Sequence, residues 1–175
     1  MIACINLSMV RIIKMIDMKK IFLLVVMIAA TMVQTSFSQD QRDTGKTDLL
    51  SSYYALKDAL VAGSAPLAAK KAGTLVTAIE SADDSMIGKA AGKSLLKHTG
   101  MILESKDLES QRKYFSALSA DMITLVKTVK QHEAPVYEMY CPMKKSSWLS
   151  SETTVKNPYY GNAMLNCGKI TATIK

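Results

Sequence analysis

The sequence predicts a mainly α protein: an antiparallel four-helix bundle followed by a short C-terminal β-hairpin and loop. Three observations predict it. Apolar residues recur at three- and four-residue spacings through successive segments between Leu49 and Lys130. The breaks between those segments are short and polar, which favours antiparallel neighbours. Past Pro135 the period shortens to two and β-forming residues take over.

The first helix rests on Leu49, Tyr53, Leu56 and Leu60, which share one face, and Gly63 stops it. Ser64 is placed to cap the second helix, with Pro66 in its first turn, where a missing N–H costs nothing. Leu67, Leu75, Val76 and Ile79 are its expected buried stripe. Asp83 and Asp84 lie in the polar break that follows. The third helix, about 86–103, carries Gly88, Gly92 and Gly100, which weaken it and suit close helix approach. Asp107 is placed to cap the fourth helix, whose stripe is Leu108, Phe115, Leu118, Met122, Leu125 and Val129. Val136 to Cys141 and Lys169 to Lys175 then read as two strands that pair. Residues 144–161 between them read as loop, with Trp148 and Leu149 as its apolar anchor.

The N-terminus reads as a targeting signal. Met18-Lys19-Lys20 gives a basic start, Ile21 to Met32 an apolar run short for a bilayer, and Ser36-Phe37-Ser38 a cleavage site. Residues 1–38 are the expected signal peptide, with Met18 as the alternative initiator and an uncleaved anchor as the rival reading. Residues 39–46 form a polar, loose start, and 47–175 one helical domain with a motif region at 136–175. The predicted location is periplasmic or otherwise exported, with no membrane attachment after cleavage.

The leader holds Arg11, Lys14, Lys19, Lys20 and Asp17, so the net charge falls from +7 to +4, with 18 basic and 14 acidic residues remaining. The remaining lysines are scattered through helices, and no basic run is interleaved with aromatics, so nucleic-acid binding has no support. Phosphate loops, nucleophile elbows and His-Glu-x-x-His are absent, and the expectation is a protein without catalytic activity.

The chemistry-bearing residues lie near the C-terminus. Cys4 leaves with the leader, and the two remaining cysteines each have a methionine close by: Cys141-Pro142-Met143 and Met164-Leu165-Asn166-Cys167-Gly168. Thiolate and thioether are soft ligands that select Cu(I) or Ag(I) over harder ions. Alternate residues of a strand share a face, about 6.6 Å apart, which would align Met139, Cys141 and Met143. Met164 and Cys167, three apart, suit one helical turn. Cys141, Met143, Met164 and Cys167 are the expected ligands, with Met139 and His132 as accessory candidates. Two exported cysteines 26 positions apart also suit a Cys141–Cys167 disulfide, and methionines in small domains are more often core filler. His132 suits capping of the fourth helix's C-terminus, and His98 a partly packed surface position.

Tyr140-Cys141-Pro142-Met143, Trp148-Leu149-Ser150, Asn157-Pro158-Tyr159-Tyr160-Gly161 and Met164-Leu165 with Cys167-Gly168 together resemble the bacterial domain of unknown function 3347. Tyr54-Leu56-Lys57-Asp58-Ala59-Leu60 and Gln111-Arg112-x-x-Phe115-x-x-Leu118-Ser119 fit the same pattern, so the resemblance runs from about Leu49 to Ile174. It implies a small exported protein associated with the periplasmic adaptor subunits of copper or silver efflux pumps. It also implies Cys141, Met143, Met164 and Cys167 as ligands. The chain lacks any adaptor region, so the expectation is that it acts alone or through a partner, for which the resemblance suggests a heavy-metal efflux adaptor or pump component.

Overall fold

The computed structural model describes residues 48–129 and 134–175. The expected signal peptide, the polar start at 39–46 and His132 lie outside the described residues. The described residues all belong to one compact unit.

Helix α1 (Leu49–Val61) begins where the Asp48 carboxylate accepts the Leu50 and Ser51 N–H groups, donors with no partner inside the helix. Tyr53, Leu56 and Leu60 are fully buried along it. It ends at Gly63, whose φ of +72° is the left-handed conformation a helix C-terminus favours. Helix α2 (Ala65–Ser81) is capped by Ser64 and carries Pro66 in its first turn. Its buried residues are Ala68, Ala72, Leu75, Ala78 and Ile79, while Leu67 is 40% exposed. The run 68, 72, 75, 79 keeps one face; Leu67 lies one position off it, about 100° round the helix. Two alanines take the buried places there.

The expected third helix is broken in two. A single turn, α3 (Asp84–Ile87), capped by Asp83, ends at Gly88 with φ +75°, and α4 (Lys89–Glu104) starts there. A Cβ on Gly92 would meet Ile87 of that turn at 3.3 Å, whereas Gly100 faces open space. Only one of these two glycines therefore serves close packing. Helix α5 (Leu108–Val129) starts at Asp107, whose Oδ1 accepts the Ser110 N–H at 2.8 Å. Phe115 and Leu118 are fully buried and Met122 nearly so. Helix α4 packs on α5 and α2, and α1 packs on α2. Gln111, fully buried, donates to the carbonyls of Ala65 and Ser105, tying α5 to the start of α2 and the end of α4. The Arg112 guanidinium donates to the Leu60 carbonyl at 3.0 Å, a cation at the negative end of α1.

The C-terminal part is a three-stranded antiparallel sheet in the order β2-β1-β3, formed by β1 (Val136–Cys141), β2 (Ser146–Ser150) and β3 (Lys169–Ile174). The expected pairing of the first and last strands is present. The segment read as loop holds β2, so the expected hairpin is a sheet. Three serines hide that strand in the sequence, but Trp148 and Leu149 are both fully buried in it. In β3, Thr171 is an extra residue between Ala172, opposite Glu138, and Ile170, opposite Met139. Its hydroxyl donates to the Glu138 carbonyl at 3.1 Å.

Strand β2 lies against α5. The Tyr53 hydroxyl accepts the Leu149 N–H at 3.2 Å and pairs with the Ser119 hydroxyl at 2.7 Å. Phe115 stacks on Tyr53 with centroids 5.3 Å apart, and Tyr159 touches both Phe115 and Trp148. One buried cluster runs from the helices through these rings to Met139 and Cys141. No helix among the described residues is long and apolar enough to cross a membrane.

Candidate functional site

Strand β1 ends at Cys141 because Pro142 has no N–H for the ladder. Pro142 to Lys145 turn the chain into β2, with Lys145 at φ +54°. Since β1 is the central strand, Cys141 lies beside the chain that enters β3, and that chain begins with Cys167. The two Sγ atoms are 3.9 Å apart, and both cysteines are free thiols. Cys141 is fully buried and Cys167 half-buried.

Backbone and side-chain N–H groups surround this sulfur pair. The Lys144 N–H points at Cys141 Sγ, 3.4 Å away. Asn157, fully buried, donates from Nδ2 to Cys141 Sγ at 3.2 Å and to the Cys167 carbonyl at 2.6 Å. Its Oδ1 accepts the Tyr159 N–H, and its backbone N–H reaches the Leu165 carbonyl. One asparagine thus closes the 157–167 loop and fastens it to β1. Burial pushes the Cys167 thiol above its ordinary range, and the hydrogen bond and charge of Cys141 push the same way. The Met143 N–H, facing the Cys167 sulfur, partly opposes them.

The methionines fall in two classes. Met139 is fully buried, cross-strand from Trp148, and belongs to the core. Met143 is 61% exposed and Met164 40% exposed. Because β1 ends at Cys141, strand alternation does not carry on to Met143, which sits in the turn. The expected turn linking Met164 and Cys167 is present: the Cys167 N–H donates to the Met164 carbonyl at 3.1 Å, just after a 3₁₀ turn at Gly161–Met164. His98 is half-buried, its Nδ1 2.8 Å from Asp121 Oδ2, and takes no part in this region.

The soft donors brought together here are the two cysteine sulfurs. No group of three or more His, Cys, Asp or Glu side chains placed to hold a metal exists among the described residues. Two metal–sulfur bonds of about 2.3 Å each span a 3.9 Å separation when they meet at an angle. The same separation is nearly twice the ~2.05 Å of a disulfide bond. The separation suits two sulfurs sharing one soft ion of low coordination number, and closing it to bonding length in the presence of an oxidant would join them instead.

Sequence reasoning passed over Asn157, which reads as a turn residue before Pro158. Its signal was a short amide between two aromatic-rich segments, a residue able to satisfy several backbone groups at once. Gly168 was also missed. At φ +156°, it has no room for a Cβ, which would stand 2.7 Å from Trp148 Cη2 and 3.2 Å from the Tyr140 carbonyl. The indole edge therefore lies directly under the residue after Cys167.

Residues 49–134 match the family model described as protein of unknown function (DUF3347). The matched range covers the helices and stops before the sulfur motifs. No curated protein and no solved structure matches the chain. The helical segment 49–134 is therefore a domain of this family of unknown function.

Proposed function

We propose that this is an exported, periplasmic protein that binds a soft metal ion, Cu(I) or Ag(I), through Cys141 and Cys167. Met143 and Met164 supply thioether support, with His132 as a lesser candidate. The observation that carries the reading is the free Cys141–Cys167 pair, 3.9 Å apart and ringed by N–H donors. Such donors are better partners for sulfur carrying negative charge than for a neutral thiol, and a bound cation would relieve the repulsion between two adjacent thiolates. The exposed methionines suit capture and release of cargo, because thioether ligation is neutral and weak. The four long helices, arranged as an up-and-down bundle, would be the rigid support. The protein would buffer the ion or hand it to an efflux adaptor, without catalysing a reaction.

The test is Cu(I) titration of reduced protein against a chromogenic chelator, beside a Cys141→Ser/Cys167→Ser variant. A loss of affinity of about a hundredfold or more in the variant is expected; equal affinities end the proposal.

A second reading rests on the same distance: the sulfurs are close enough to pair after rotation, making a disulfide-stapled interaction module. Alkylation of freshly isolated protein without prior reduction, followed by peptide mass mapping, separates the two. Alkylated Cys141 and Cys167 support metal binding, and a linked peptide pair supports the staple.

A further inference from the structure

Charge is distributed unevenly along this chain. Residues 48–138 hold eleven basic and eleven acidic side chains, whereas residues 139–175 hold five lysines against Glu152 alone. Glu152 is engaged by Lys156 at 2.7 Å. The other four, Lys144, Lys145, Lys169 and Lys175, are exposed and have no ion-pair partner among the described residues.

These lysines frame an open sheet edge. With the order β2-β1-β3, β2 packs against α5, while among the described residues β3 has a neighbouring strand on one side only. Its outer row of N–H and C=O groups is a template for another strand. Lys169 opens β3 and Lys175 follows its last residue; Lys144 and Lys145 sit in the turn at the Lys169 end, next to Cys141. Between the lysines, Ile170 is 40% exposed, and Ala172 and Ile174 are half-buried. The strand contains no proline or acidic residue.

We propose that the outer edge of β3 is the docking site for an extended acidic polypeptide segment, which adds to the sheet as a fourth strand. A second copy of this chain is the poorer occupant. Antiparallel pairing of two β3 strands about Ala172 sets Lys169 opposite Lys175 twice over, and like charges placed so repel. The lysines that exclude self-pairing are the ones that admit carboxylates. A segment in this position would end beside the exposed Met143 and the cysteine pair. The inference rests on charge and sheet topology, so it holds or fails separately from metal binding.

The experiment uses the full chain, without metal, and fluorescence anisotropy of a short labelled peptide alternating Glu and Val. Three comparisons accompany it: a Lys/Val peptide, the Glu/Val peptide N-methylated at alternate amides, and the Lys169→Glu/Lys175→Glu variant with the parent peptide. Circular dichroism confirms that the variant is folded. The expected result is saturable binding of the Glu/Val peptide, weakened about tenfold or more in each comparison. Absence of binding overturns the proposal, as does equal binding of the N-methylated peptide, which cannot complete the ladder. Undiminished binding to the charge-reversed variant overturns it too. A dimer of the chain alone that excludes the peptide, seen by sedimentation equilibrium, assigns the edge to a second copy instead.

Discussion

Asn157 and Cys141 are joined by a 3.2 Å hydrogen bond from amide nitrogen to sulfur, and the same nitrogen holds the Cys167 carbonyl at 2.6 Å. Both cysteine-bearing segments therefore depend on one buried side chain. Asn157→Leu keeps much of the volume and removes every one of these bonds. It leaves the Cys167 carbonyl and the Tyr159 N–H without their partner. We expect a loss of about 2 kcal/mol or more, measured by urea unfolding under reducing conditions.

The raised Cys167 pKa sets a pH dependence. The folded chain holds that proton more tightly than the unfolded chain. The stabilisation is therefore complete below about pH 8.5, the unfolded value, and is lost as pH rises through the folded value. Urea midpoints of reduced protein should fall between pH 8 and pH 10, and less steeply in Cys167→Ser. Equal slopes in the two proteins would remove Cys167 as the cause. Metal binding runs the other way, since thiols must lose protons to ligate, so Cu(I) affinity should rise over the same interval.

Tyr53→Phe tests the link between helix and sheet. The change keeps the ring stacked on Phe115 but leaves the buried Leu149 N–H and Ser119 hydroxyl without the oxygen they share. A cost of about 1–3 kcal/mol is expected, visible as a lower melting temperature with unchanged helical circular dichroism. Burial raises the Tyr53 hydroxyl's pKa far above the ordinary tyrosine range. By the same sign argument as for Cys167, wild type should lose an increment of stability above about pH 10 that the phenylalanine variant lacks.

Gly168→Ala should cost about 1–3 kcal/mol. The new methyl meets a buried indole and a backbone carbonyl, neither free to retreat. Trp148 is the sole tryptophan of the chain, so its emission should shift in this variant and reports on strain beside Cys167. Unchanged emission and stability would mean that the loop yields easily.

The helices were legible because their signals are local. Ser64, Gly63 and Asp107 act where capping chemistry placed them, and Tyr53, Leu56, Phe115 and Leu118 are buried as their spacing required. Leu67 failed because hydrophobicity alone does not say which of two adjacent positions faces inward; Ala68 took the place. Strand β2 failed for the opposite reason. Its serines lack strand propensity, and its burial comes from tertiary contact with α5. Cys141 and Cys167 were expected to meet, and they do, because both strands that carry or follow them were visible. Asn157 was not, since its worth lies in partners 10 and 16 positions away.

The hydrogen bond from Leu149 to Tyr53 spans 96 positions of sequence. The residues of the helices emerge before Trp148, Asn157 and Cys167, from a ribosome or an export channel alike, so the bond to Tyr53 can form only once the last strands have followed. A chain delayed at that stage would carry two unrestrained cysteines on a trailing segment, open to mispairing with other molecules. Prompt closure of the last strands over the aromatic rings is then what shields the thiols from chemistry with the wrong partner.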